Sequence, residues 1–163
     1  MDVVNLQRKI KLDLVSVRAF VAELSNSISE AENQTFSVAF VSDRRMKQLN
    51  EMFRGFDATT DVLSFPYEHD VFQSEPPAVA GGLTEQVDNV QPPTTVGGSD
   101  FLGDIVISAE QAQKQADENG LDLDAEIKQL ILHGLLHLCG YDHETDNGEM
   151  KKRELKLRKE LGI

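Results

Sequence analysis

Three closely spaced histidines give the strongest indication of how this chain folds. They stand at positions 133, 137 and 143, in the segment HGLLHLCGYDH. Residues four apart on an α-helix lie about 40° apart around its axis, so His133 and His137 project from one face and can bind one ion. Gly140 can adopt a positive φ, which ends the helix and returns the chain so that His143 supplies a third nitrogen. Three imidazoles with an open fourth position are typical of a catalytic zinc site, whereas structural zinc sites usually have four protein ligands.

Other interpretations of this segment are weaker. A single histidine on an apolar helix face is more often a core residue than a ligand, but three of the chain's four histidines share this spacing. The metzincin peptidases have the same spacing and place a general-base Glu after the first histidine. Here that position is Gly134. Zinc alone lowers the pKa of water to about 7, yet this helix offers nothing to protonate an amine leaving group. A metal site is therefore better supported than a peptidase.

The single cysteine, Cys139, excludes an internal disulfide and suits a reducing compartment. As a neighbour of two histidines it is conceivable as a fourth ligand, but a position in the core is favoured. The chain has no apolar run near the roughly 20 residues that cross a bilayer and no signal-peptide pattern at its start. We therefore expect a cytoplasmic protein without membrane contact.

The apolar pattern predicts an α+β fold in a single domain, residues 1–163, because this length supports one core. Four strands are predicted, and the first, second and fourth along the chain are each followed by a segment whose apolar residues have a helical period. Ser42 or Asp43 caps one of these helices, and Ser108 caps another, which ends at Gly120. From 124 to 138 apolar residues occur almost all round, as in a buried helix. We expect a small mixed sheet of about four strands packed with helices, with the metal site on the buried helix. The predicted strands are 4–12, 36–40, 61–67 (ended, or placed at an edge, by Pro66) and 101–108.

Residues 68–100 stand apart from this pattern. They contain two Pro-Pro and two Gly-Gly pairs and no apolar period, which predicts a flexible surface insertion. His69, at its edge, is not expected to be a ligand.

Three separated motifs together resemble a known family. TDVLSFP at 60–66, LGDIVIS at 102–108 and the histidine segment follow an arginine, Arg54, and precede a Glu-Met helix. This order is similar to that of the YbeY family of bacterial endoribonucleases and ribosomal RNA maturation factors, from about Phe36 to the end of the chain.

The resemblance implies one Zn²⁺ per chain, held by His133, His137 and His143, with Arg54 as a catalytic residue in RNA processing. It also implies cleavage of single-stranded RNA, including the 3′ end of small-subunit ribosomal RNA, in rRNA maturation and ribosome quality control. The expected partners are then single-stranded RNA or rRNA and ribosomal or small-subunit components. A planar guanidinium suits such a role because it binds two phosphate oxygens at once. Asp104 and Asp142 are both candidates for a carboxylate that orients a ligating histidine.

The net charge of −12 opposes binding of RNA over the whole surface. The charge is uneven, however, since residues 55–113 carry ten acidic residues and no Lys or Arg, while residues 151–160 read KKRELKLRKE. In that basic run we expect a solvated helix whose cations Lys156, Arg158 and Lys159 complement its negative end. Two other functions stay open: a metal-dependent hydrolase of peptides or small molecules, and a non-catalytic zinc-containing ribosome-assembly factor.

Overall fold

Four strands form one mixed sheet in the computed structural model, which describes residues 2–67 and 100–163. Of the predicted insertion, residues 68–100, only Asp100 is described. The rest, including His69, lies outside the described residues. The sheet order is β1-β2-β4-β3, with β1, β2 and β4 parallel and β3 antiparallel to β4. The α+β class and the mixed sheet of four strands are confirmed. The strands are β1 (Val3–Asn5), β2 (Thr35–Val41), β3 (Val62–Pro66) and β4 (Phe101–Ser108).

Five α-helices accompany the sheet in the described ranges. As predicted, the Ser42 and Ser108 hydroxyls cap two of them, and Gly120, with φ 67°, ends another. None of these helices is long and apolar enough to cross a membrane. The helices are α1 (Leu14–Ser27), α2 (Asp43–Arg54), α3 (Ala109–Asn119), α4 (Leu123–Leu138) and α5 (Glu149–Leu161).

The sheet separates two groups of buried side chains. Because side chains alternate along a strand, Ile105 and Ile107 of β4 face the larger core, which includes α1, α4 and α5. Val106 faces the opposite side with Met46 and Leu49 of α2. Helix α4 is buried almost all round, as predicted, because it contacts β3 and β4 as well as α1, α3 and α5. A helix held on so many sides gives its side chains fixed positions.

The prediction of a strand over residues 4–12 was wrong beyond Asn5. The Gln7 side chain turns the backbone: its Oε1 accepts from the N–H groups of Lys9 and Ile10, both at 2.9 Å, and its Nε2 donates to the Ile10 carbonyl at 2.9 Å. Leu6 is 67% exposed. A polar side chain that bonds its own backbone offers an alternative to sheet pairing, and the alternating pattern does not reveal it.

The prediction that Lys156, Arg158 and Lys159 are solvated was wrong for Arg158. Its guanidinium donates to Glu154 and, at 2.8 Å, to Gln129 of α4. Lys156 does lie in solvent, with its Nζ 3.9 Å from a Glu160 oxygen. Arg158 therefore ties α5 to the helix that carries two of the histidines.

Candidate metal centre

The three predicted histidines meet in space with the spacing of metal ligands. The His137 Nε2 atom lies 3.2 Å from Nε2 of His133 and 3.2 Å from Nδ1 of His143. Zinc–nitrogen bonds of 2.0–2.1 Å at tetrahedral angles require donor atoms about 3.3 Å apart. All three donor atoms lie within 4.8 Å of one another. The residues thus fit a small tetrahedral cation.

The turn after α4 places the third histidine. The Cys139 N–H donates to the Leu135 carbonyl, and the Tyr141 N–H donates to the Leu136 carbonyl. Between them Gly140 has φ 93°, a conformation that L-residues with a side chain rarely adopt. The chain therefore reverses as the sequence predicted, and His143 comes back beside the helix end.

Glu154, which the sequence did not single out, positions His133. Its Oε2 atom lies 3.1 Å from Nδ1 of His133, and its side chain is 11% exposed. Burial alone would raise the pKa of Glu154, but the hydrogen bond and charge of His133 and the nearby Arg158 outweigh it, so the pKa is lowered. An ionised acceptor at Nδ1 leaves the Nε2 lone pair directed at the metal position. The Glu154–Arg158 spacing was visible in the sequence, but the packing of α5 beside His133 was not.

His137 is positioned by the return loop itself. Its Nδ1 lies 3.0 Å from the Tyr141 carbonyl oxygen, and the Tyr141 hydroxyl donates to Glu30 at 2.9 Å. Two nitrogens of Arg153 donate to Glu30 at 2.7 and 2.8 Å and lower its pKa to about 2. Burial, and next the neighbouring His133, lower the pKa of His137. A neutral ring is the form that binds a metal.

Among the described residues, neither of the two aspartates proposed as orienting carboxylates bonds a ring nitrogen of the three histidines. Asp104 shares the β4 face of Val106, opposite Ile105 and α4, so it does not reach the histidines. Asp142 lines the cavity described below, but its oxygens accept from the Glu144 N–H and the Thr145 hydroxyl, both at 3.0 Å. Those two bonds lower the pKa of Asp142. Glu154, rather than Asp104 or Asp142, is the carboxylate that orients a histidine ring.

Cys139 does not join the histidine cluster among the described residues. Burial raises the pKa of its thiol to about 11, whereas a metal ligand must be a thiolate. The expectation that Cys139 belongs to the core holds, since it packs against the larger core.

Gly134, between the two helical histidines, faces the sheet rather than the centre of the histidine cluster. A Cβ added there would lie 2.8 Å from Ile105 Cγ2 and 3.1 Å from Ser64 Oγ. The Ser64 hydroxyl also donates to the Gly134 carbonyl at 3.1 Å. This close approach of α4 to the sheet leaves no room for the general-base Glu of a metzincin peptidase.

A cavity of about 650 Å³ joins the histidines to Arg54. Arg54 is the last residue of α2 and forms no ion pair with any described residue. Asp61 has a structural role, because it accepts from the Val62 N–H and from Gln115 of α3. The cavity is lined by Arg54, Thr60, Asp61, Val62, Leu63, Ser64, Pro66, His133, His137, Gly140, Tyr141, Asp142, His143 and Glu144.

Comparison with known proteins agrees with the motifs that line this cavity. A model of the family described as "Endoribonuclease YbeY" matches residues 2–162. The chain belongs to the YbeY family. Proteins named Endoribonuclease YbeY include one from Caldanaerobacter subterraneus, 33% identical over 100% of this chain and 99% of that protein, and one from Aquifex aeolicus, 37% identical over 91% and 81%. The solution structure of TM1509 from Thermotoga maritima has a similar fold, with a TM-score of 0.56 and 25% identity over 96% of this chain and 85% of that one.

Proposed function

We propose that this protein is a zinc-dependent endoribonuclease that cuts single-stranded RNA, acting in rRNA maturation at the 3′ end of small-subunit rRNA and in ribosome quality control. Membership of the YbeY family supports the nuclease activity. The observation that carries the proposal is the shared cavity, which holds three convergent histidines and an exposed arginine without an ion-pair partner among the described residues. The zinc, the single-strand preference and the ribosomal substrate come from the resemblance of the motifs.

In this proposal His133, His137 and His143 hold the ion, while Glu154 and the Tyr141 carbonyl fix the two helical rings. Bound zinc supplies Lewis-acid chemistry for a phosphate oxygen or for water. Four protein donors would close such a site, and no fourth His, Cys, Asp or Glu joins the cluster in the described part of the chain. That absence supports a catalytic ion over the structural zinc of an assembly factor.

Arg54 binds the substrate phosphate in the same proposal. Its planar guanidinium can donate to two phosphate oxygens and offset the charge that develops during in-line attack. The cavity also contains three carboxylates, on Asp61, Asp142 and Glu144. One arginine against three carboxylates leaves an acidic surface that repels RNA, and a divalent ion offsets this excess. RNA binding should therefore depend on the metal as well as on Arg54.

A hydrolase of peptides or small molecules is the second candidate. It requires a carboxylate base from outside α4, and Asp142 and Glu144 line the cavity. The side chain of Asp142 is already bonded within its own turn, so Glu144 is the residue that this alternative would use.

The two candidates separate in one experiment. The purified protein is incubated with an end-labelled single-stranded RNA, with the same RNA annealed to its complement, and with a casein-derived peptide mixture. Each reaction is run with zinc, with chelator, and with zinc restored after the chelator. We expect cleavage of the single strand only, lost with chelator and restored by zinc, and end-group analysis identifies the bond that is cut. His137→Ala serves as the variant without the central ligand. Peptide cleavage with intact RNA would instead establish the hydrolase.

A further inference from the structure

Large apolar side chains are exposed where α2 ends, beside Arg54. Met52 is 59% exposed, Phe53 49% and Phe56 56%. Isolated apolar side chains are common on protein surfaces and need no explanation. These three lie close together along the chain, two of them are aromatic, and they flank an arginine that lines the histidine cavity. A ligand with both an apolar face and a negative charge could contact these side chains and Arg54 together.

The backbone holds Phe56 in a defined place. Gly55, with φ 72°, ends α2, and its N–H donates to the Glu51 carbonyl at 3.0 Å. The Phe56 N–H then donates to the Asn50 carbonyl at 3.4 Å. The Asn50 side chain is 4% exposed and donates to the Ala58 carbonyl at 2.8 Å. The segment that carries the exposed ring is therefore anchored on both sides, so little conformational entropy is lost when a ligand binds to it.

The ring of Phe56 also lies directly against the proposed phosphate ligand. The Arg54 Cζ atom stands 5.3 Å from the centre of the Phe56 ring, within the range of a cation–π interaction. Arg54 occupies one face, and more than half of the Phe56 side chain remains exposed. The ring thus positions Arg54 and keeps area for a second planar group.

We propose that Phe56 stacks against an unpaired base of the RNA strand whose neighbouring phosphate binds Arg54. This inference rests on the proposed function and adds to it a subsite that holds one base by stacking. An aromatic ring accepts any base, because every base has a π-face. A base inside a duplex is already stacked and paired, so it cannot reach the ring without being extruded. The Phe56 subsite would therefore favour single strands without selecting a sequence.

The test compares Phe56→Ala with Phe56→Tyr, Phe56→Leu and Leu155→Ala in zinc-loaded protein. Leu155 is a matched control because it is 57% exposed on α5. Base stacking on an aromatic residue contributes about 1–3 kcal/mol, so removing the ring should raise KM for a single-stranded RNA about tenfold, with a smaller change in kcat. Phe56→Tyr should stay within about twofold of wild type. Phe56→Leu should behave like Phe56→Ala, and Leu155→Ala like wild type.

A second set of substrates separates stacking from the positioning of Arg54. A single abasic nucleotide is moved along the RNA, and KM is measured for wild type and Phe56→Ala. Stacking predicts one position where the missing base weakens wild-type binding but changes nothing further in Phe56→Ala. Equal abasic effects in both proteins at every position would overturn the proposal. An unchanged KM in Phe56→Ala would also overturn it and would indicate that the exposed ring contacts a protein partner instead of RNA.

Failure of the proposed function would look different. If wild type binds the RNA without cutting it, the nuclease proposal fails. The same comparison then proceeds with Kd from fluorescence anisotropy in place of KM, and the stacking proposal is judged on that.

Discussion

Asp104 is a buried carboxylate on the sheet face opposite the histidines, and its replacement by Asn should stabilise the protein at neutral pH. The residue is 8% exposed, and its Oδ1 has no hydrogen-bond partner among the described residues. Burial raises its pKa from 3.8 to about 6, although the nearby Ser37 hydroxyl opposes part of the rise. Burial of an ionised carboxylate without a partner is unfavourable.

The size and direction of the effect follow from the two pKa values. Between pH 3.8 and about 6 the folded state binds a proton that the unfolded state has lost, so stability falls as the pH rises through this window. Above it the full cost is about 3 kcal/mol, whereas at pH 4 little of that cost remains. Asn carries no charge at either pH. The stability of Asp104→Asn relative to wild type should therefore increase by about 2 kcal/mol between pH 4 and pH 8.

Urea unfolding of both proteins at pH 4, 6 and 8, with chelator present, measures this difference. All other titrating groups occur in both proteins, so their contributions cancel in the comparison. Asp117→Asn, on the exposed side of α3, is the control and should change stability little at each pH. Zinc content and RNA cleavage should be unchanged in Asp104→Asn, because the side chain points away from α4. A stability difference that stays constant from pH 4 to pH 8 would refute the argument.

Three further predictions concern the site. Arg54→Ala should keep zinc content and melting temperature while RNA cleavage falls at least tenfold, with partial recovery in Arg54→Lys; a large fall in melting temperature would show a structural role instead. Glu154→Gln should weaken zinc binding about 10- to 100-fold in a chelator competition, whereas Glu160→Gln on the same helix should not. Equal zinc affinities of Glu154→Gln and wild type would show that Glu154 does not position His133. Gly134→Ala gains about 1 kcal/mol of helix propensity but crowds Ile105, which costs about 1–3 kcal/mol. Urea unfolding should therefore show a lower free energy of unfolding than wild type. A higher value would contradict the close packing.

The approach of the three histidines to one another could be predicted from the histidine segment alone. A helical spacing of four residues and a glycine that permits positive φ are local properties of the backbone. They predicted that His133, His137 and His143 would meet, and the three donor atoms do. The buried character of α4 was equally readable, because apolar residues occupied nearly every direction around the helix. Local backbone geometry and helix periodicity can be predicted from sequence where tertiary contacts reinforce them.

The groups that support those histidines could not be predicted from the sequence and are seen only in the folded chain. Glu154 lies 21 residues from His133 along the chain, and Glu30 lies 111 residues from Tyr141. No periodicity indicates such pairs, because they depend on how α5 and the residues after α1 pack around α4. Asp104 shows the converse: the sequence placed it near the site, and strand alternation turned its side chain to the other face of the sheet. The residues of a local motif could be predicted, while its surroundings depended on long-range packing.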